Sequence, residues 1–120
     1  MHLKLQRVKG SQMWLFTNTG FVSAVQIGQD LVVRSRDRDS LEPISELAGK
    51  PILNTPKSDY PYRVITNHET FAKWANHMAL NIDYSNFKSE VFQVRGPEYA
   101  HALTRVWSDM HEVEDQEARN

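Results

Sequence analysis

Arg34, Arg36 and Arg63 are the side chains best suited to hold a ligand in this chain. In an extended segment alternate residues share a face, so within Leu31-Val32-Val33-Arg34-Ser35-Arg36 the residues Val32, Arg34 and Arg36 point one way and Leu31, Val33 and Ser35 the other. With the second set against a core, two guanidiniums stand on the opposite face. Arg63 joins them if the segment Tyr60 to Thr66 lies nearby in the same sheet, with Tyr60, Tyr62 and Val64 on its other face. Such a group can grip phosphate or carboxylate, because guanidinium binds these bidentately. The competing arrangement pairs Arg34, Arg36 and Arg38 with Asp37, Asp39 or cross-strand acids on a solvated face.

Two segments, Asp59-Tyr60-Pro61-Tyr62-Arg63 and Asp83-Tyr84-Ser85-Asn86-Phe87-Lys88, share an Asp-Tyr pair followed by an aromatic and a cation. Tyr60, Tyr62, Tyr84 and Phe87 offer flat faces for stacking a base or ligand ring, with Lys88 as a flexible cation beside them. The same rings can serve as core pieces, and Asp83 can cap the helix through Phe87, or Asn86 satisfy a neighbouring loop. The candidate ligand-binding set is therefore Arg34, Arg36, Asp59, Tyr60, Tyr62, Arg63, Asp83, Tyr84 and Lys88. The two segments are expected as walls at one end of the sheet, near Arg34 and Arg36. Brought together, Asp59 and Asp83 would also make a carboxylate pair for acid–base work.

Other chemistries lack their signatures. The five histidines, at positions 2, 68, 77, 101 and 111, form no His-x-x-x-His or His-Glu-x-x-His spacing, so no metal site is assigned. Ser, His and Asp occur without a nucleophile elbow, and the five glycines are scattered rather than gathered into a phosphate loop. Without cysteine there are no disulfides, thiolate ligands or Cys nucleophiles. No catalytic residue and no cofactor is assigned.

At 120 residues the chain fits one domain, which at this size buries roughly two-thirds of its unfolded surface. A formal net charge of −1 argues against a protein that coats nucleic acid, because phosphate binding rests on clustered positive charge. The charge is nonetheless uneven. Residues 1 to 60 carry eight Lys/Arg and six Asp/Glu, whereas residues 61 to 120 carry six and nine, with Asp109, Glu112, Glu114, Asp115 and Glu117 crowding the end. No apolar stretch suits a signal peptide or a membrane span of about 18 residues, which places the chain in the cytoplasm.

The elements that must position these residues follow from pattern. Met13 to Thr17 and Phe21 to Ile27 flank Asn18-Thr19-Gly20 as a hairpin, and Leu31 to Arg36 completes a three-stranded meander. Asp39 or Ser40 caps a short helix ended by Gly49, followed by strands at Ile52 to Thr55 and Tyr60 to Thr66. Thr66-Asn67-His68-Glu69 has the spacing of a capping box, ahead of Phe71, Trp74, Ala75, Met78 and Ile82 at helical intervals. A further helix carries Phe87, Val91 and Val94 and stops at Gly96. Pro97 starts the last helix, with Ala100, Leu103, Val106, Trp107, Met110 and Val113. The expected fold is α+β: an antiparallel sheet, made of the N-terminal β-meander plus a βαββα unit, covered on one face by helices. Residues 1–12 form an arm or extra edge strand, 13–113 a single domain and 114–120 an acidic tail. Trp14, Trp74 and Trp107 are expected as packing anchors between sheet and helices.

The segments Met13-Trp14-Leu15-Phe16-Thr17 with Gly20-Phe21-Val22-Ser23, Leu31 to Arg36, Asp59 to Arg63, Asp83 to Val91 and Val106-Trp107-Ser108-Asp109-Met110 together resemble a group of small bacterial and phage-encoded hypothetical proteins. The resemblance spans Met13 to about Val113. It implies a similar architecture and, since that group has no assigned activity, no catalytic residues.

Three functional readings follow. The first is a non-enzymatic binding module in which Arg34, Arg36, Arg63 and Lys88 meet an anionic ligand, a nucleotide or single-stranded nucleic acid, and a Tyr stacks on it. The second is a phage or mobile-element interaction or inhibitor protein that meets a host protein through its acidic C-terminal helix or a sheet edge. The third is a small enzyme built on Asp59 and Asp83. Composition gives no membrane partner and no oligomeric state.

Overall fold

The computed structural model describes residues 12–119. The chain divides into two compact units, Met1–Ile82 and Asp83–Asn120. The first holds strands β1 (Gln12–Thr17), β2 (Gly20–Ile27), β3 (Asp30–Ser35), β4 (Leu53–Asn54) and β5 (Tyr62–Thr66), and helices α1 (Glu42–Ala48) and α2 (His68–Leu80). The second holds α3 (Phe87–Arg95) and α4 (Pro97–Arg119).

All strand pairings are antiparallel, in the spatial order β1-β2-β3-β5-β4. The meander followed by β3-α1-β4-β5-α2 is the α+β arrangement that the patterning predicts. The β1–β2 hairpin turns through Asn18 and Thr19, and Gly20 takes a φ of 145°, open to glycine at little cost. A single 3-10 turn, Asp39–Leu41, leads into α1. Gly49 ends α1 at φ 63°, its N–H donating to the Glu46 carbonyl while the Lys50 N–H donates to that of Ser45.

One face of the sheet meets α1 and α2. Val22, Ala24, Leu31, Val33 and Val64 from the strands pack with Leu41, Ile44, Phe71 and Trp74, and Tyr62 lies partly buried against them. Each large apolar side chain so buried is worth about 1.5–3 kcal/mol, which makes this cluster the main source of stability in the unit. The second unit is a helical hairpin with a smaller core of Val91, Ala100 and Leu103, flanked by Tyr99.

Local expectations shift in several places. Thr66 does not cap α2, because it stays in β5 opposite Leu31; Asn67 caps instead, its side chain accepting from the Thr70 N–H at 2.8 Å. Asn86 caps α3 in the same way, accepting from the Ser89 N–H at 2.9 Å. Of the three tryptophans only Trp74 is a core anchor; Trp14 and Trp107 are 59% and 55% exposed. Val106, Trp107, Met110 and Val113 stay exposed on α4, which at about 34 Å outruns α3 at about 13 Å. Residues 114–119, read as a tail, continue α4. Of the predicted arm, residues 1–11 lie outside the described residues, and Gln12 opens β1.

Candidate anion-binding site

The register of the sheet lines up Trp14, Ser23, Arg34, Arg63 and Leu53 in one row across the five strands. This row lies on the face turned away from α1 and α2, since its neighbours in sequence, Val22, Ala24, Val33 and Val64, all enter the helix-covered core. Arg34 and Arg63 are therefore direct cross-strand partners, with Cβ atoms about 5 Å apart.

Arg34 is held from several sides. Its Nη2 donates to Gln12 Oε1 at 2.6 Å and to the fully buried Ser23 Oγ at 3.0 Å, and Ser23 in turn donates to Gln12 Oε1 at 3.3 Å. Its guanidinium also lies 4.5 Å from the centroid of the Tyr60 ring. Arg36 meets the same ring at 4.9 Å and pairs with Asp59 at 3.5 Å. Both members of that ion pair are well exposed, so it contributes little to stability. Arg63 Nη2 donates to Ser58 Oγ at 3.2 Å.

These contacts orient the guanidiniums without neutralising the pair. Among the described residues no carboxylate lies within 4.0 Å of Arg34 or Arg63, whereas Arg36 and Arg38 each have one, Asp59 and Glu42. Arg36 and Arg38 thus do pair with acids on a solvated face, though with Asp59 and Glu42 rather than Asp37, Asp39 or a cross-strand acid, and Arg34 does not. The Nε atoms of Arg34 and Arg63 are both buried with no hydrogen-bond partner among the described residues. Leaving a buried donor unsatisfied costs about 1–3 kcal/mol, and like charges placed directly opposite on a sheet add up to about 1 kcal/mol.

Arg34, Arg36, Asp59, Tyr60 and Arg63 thus come together as the alternation pattern suggests, with one correction. Tyr60, expected on the face of Tyr62 and Val64, sits instead with the arginines and is buried. Pro61 explains the change. It has no N–H for the ladder, β5 begins only at Tyr62, and the alternation does not extend back to Tyr60. The loop is tied instead by Thr55, whose N–H donates to the Pro61 carbonyl at 2.6 Å. Tyr62 lies opposite Ser35 and packs on the core side, so it is not part of the site.

Asp83, Tyr84 and Lys88 belong to the second unit. There Tyr84 approaches Phe87 at 6.4 Å between ring centroids, and Lys88 Nζ lies 4.6 Å over the Trp107 ring. Lys88 also borders a shallow groove of about 560 Å³ with Phe92, Gln93, His101 and Thr104.

The face carrying the arginines has aromatic members too, among them Trp14, which the sequence predicts as a packing anchor. Phe21 stacks on Phe16 at 4.5 Å with 18° between planes, meets Trp14 edge-on at 5.7 Å and approaches Tyr60 at 6.4 Å. The strand alternation that places Arg34 places these rings too: Trp14 and Phe16 on β1 and Phe21 and Ser23 on β2 share its face.

Comparison of the chain with protein-family models, with curated proteins and with solved structures gave no match, so the reading of this site rests on its own geometry.

Proposed function

We propose that the protein is a non-enzymatic binding module that holds an anionic ligand between Arg34 and Arg63, with Arg36 at the rim. The observation that carries this reading is the pair itself: two arginines directly opposite each other in the β3–β5 register, their Nε donors buried and, among the described residues, unpartnered, with no carboxylate near either. An oxyanion bound by their Nη donors offsets the like-charge repulsion, with charge-assisted hydrogen bonds about twice as strong as neutral ones. Nucleotides and single-stranded nucleic acids both carry such groups. Asp59 already has Arg36 as its partner, which favours a binding role over an acid–base one. A cysteine-free chain suits the reducing cytoplasm, where we place it.

A thermal-shift series with inorganic phosphate, mononucleotides and cyclic nucleotides tests the reading, since a ligand at a hundred times its Kd adds about 2.7 kcal/mol to stability. The expected result is a rise in Tm that Arg63→Met removes. A rise that survives Arg63→Met, or no rise with any anion, rejects the site.

A second reading is favoured by α4. Val106, Trp107, Met110 and Val113 are exposed there among Asp109, Glu112, Glu114 and Asp115, a surface suited to a basic protein partner, such as a host target of a phage or mobile-element factor. Replacing Glu112, Glu114 and Glu117 by Gln would then abolish salt-sensitive capture of one defined partner. Capture unchanged by these substitutions rejects it.

A further inference from the structure

We infer that the ligand of the Arg34–Arg63 site is a single-stranded nucleic acid laid across the open sheet face, its backbone on the arginines and its bases on Trp14 and Phe16. The inference rests on the anion-binding reading above and adds the ligand class. A free phosphate would engage only the guanidiniums and leave the aromatic half of the same face unused. That half is built for contact: Trp14 is 59% exposed and Phe16 37%, and both lie against Phe21, which fixes their orientation.

Distance selects the form of nucleic acid. Trp14 and Arg34 occupy the same row with one strand between them, so their backbones stand about 10 Å apart. Trp14 and Phe16 are alternate residues of β1, about 7 Å apart along the strand. A stacked strand advances about 3.4 Å per nucleotide. The two rings therefore match neighbouring bases only when those bases are splayed apart, as in an extended single strand. In a duplex the bases pair inward and offer no face to either ring. A mononucleotide has one base and cannot cover both rings.

Tyr60 takes a different part from the one its sequence context suggests. Its ring is buried beneath Arg34 and Arg36, so it presents the two cations and leaves base stacking to β1. Three guanidiniums are too few for a coating protein but enough for a short segment. With three phosphates neutralised, log K should fall with log salt at a slope of about −2 for a single strand, a modest electrostatic share in keeping with a net charge of −1. Stacking on the exposed rings supplies the remainder and is tolerant of base identity.

The test is fluorescence anisotropy of a labelled oligothymidylate of about 12 residues, repeated across a salt series and in competition with a duplex of equal length, ATP and inorganic phosphate. The inference expects the single strand to bind more tightly than every competitor. Trp14→Ala should weaken binding about tenfold, Trp14→Phe should restore most of it, and Arg63→Met should lower the salt slope to about −1.4. If ATP or phosphate binds as well as the oligomer and Trp14→Ala changes nothing, the inference is overturned while the anion-binding reading stands. If no anion binds at all, both fall.

Discussion

Arg34 and Arg63 face each other across the β3–β5 ladder as a matched pair of like charges, yet their supports differ. Arg34 is anchored to Gln12 and Ser23 on the β1–β2 side and covers the ring of Tyr60. Among the described residues Arg63 donates to one partner, the hydroxyl of Ser58 in the loop before β5. One guanidinium is thus built into the sheet, and the other opposes it with little to hold it. A sheet selected only for stability would place an acid at one of these positions, where opposite charges gain what like charges lose. The asymmetry separates what each residue does for the fold from what it does for a ligand.

Arg63→Met should therefore leave stability unchanged or raise it by up to about 1 kcal/mol, because the variant keeps the apolar stem and removes both the repulsion and a buried unpartnered Nε. Urea denaturation measures this directly. A loss above about 2 kcal/mol would mean that Arg63 is chiefly a structural residue.

Arg34→Met should behave differently. It strips the charged donor from Ser23, which is fully buried, and from Gln12, and it uncovers the Tyr60 ring. The expected cost is about 1–2 kcal/mol. In a double-mutant cycle with Ser23→Ala the two substitutions should couple by about 1 kcal/mol, and strict additivity would show that the Arg34–Ser23 bond carries no energy of its own.

Asp59 sits at the rim with its carboxylate on Arg36, so it competes with any arriving anion for that guanidinium. Asp59→Asn removes the competitor and its repulsion of the ligand. Since the pair is exposed, stability should move by less than about 0.5 kcal/mol. Anion affinity should rise a few-fold at low salt, with the difference fading as ionic strength increases. Titration calorimetry at two salt concentrations measures both effects; weaker binding in the variant would place Asp59 among the ligand's own contacts.

The sheet face was legible because strand alternation is strict: once Leu31 and Val33 are assigned to the core, Arg34 has only one side to go to. The conjunction with Arg63 followed from adjacency of two strands that the turn signals also marked. Tyr60 departs from the expected alternation because Pro61 breaks the period ahead of β5. Trp14 departs from its expected place for another reason. Large aromatics favour cores, and the place of this ring on the open face follows only from the register that pairs Trp14 with Ser23 and Ser23 with Arg34. In α4 the helical period identified the apolar stripe correctly, but period alone does not say how much of a stripe its partner helix is long enough to cover.

The three tryptophans give a direct test of that last distinction. Trp74 is 1% exposed, beside Phe71 in the core between sheet and helices, and Trp74→Ala should cost about 3–5 kcal/mol. Trp107 is half exposed, touched by Lys88 at 4.6 Å and by the edge of His111 at 4.6 Å. An exposed cation–π contact is worth about 0.5–1 kcal/mol, and Trp107→Ala should cost no more than about that. Trp14→Ala gives up an edge contact with Phe21 of about 0.5–1.5 kcal/mol, together with little burial. Iodide quenching of single-tryptophan variants should follow the same order, with Trp14 and Trp107 accessible and Trp74 protected. Protection of Trp14 in the isolated protein would remove the stacking surface on which recognition of a single strand depends.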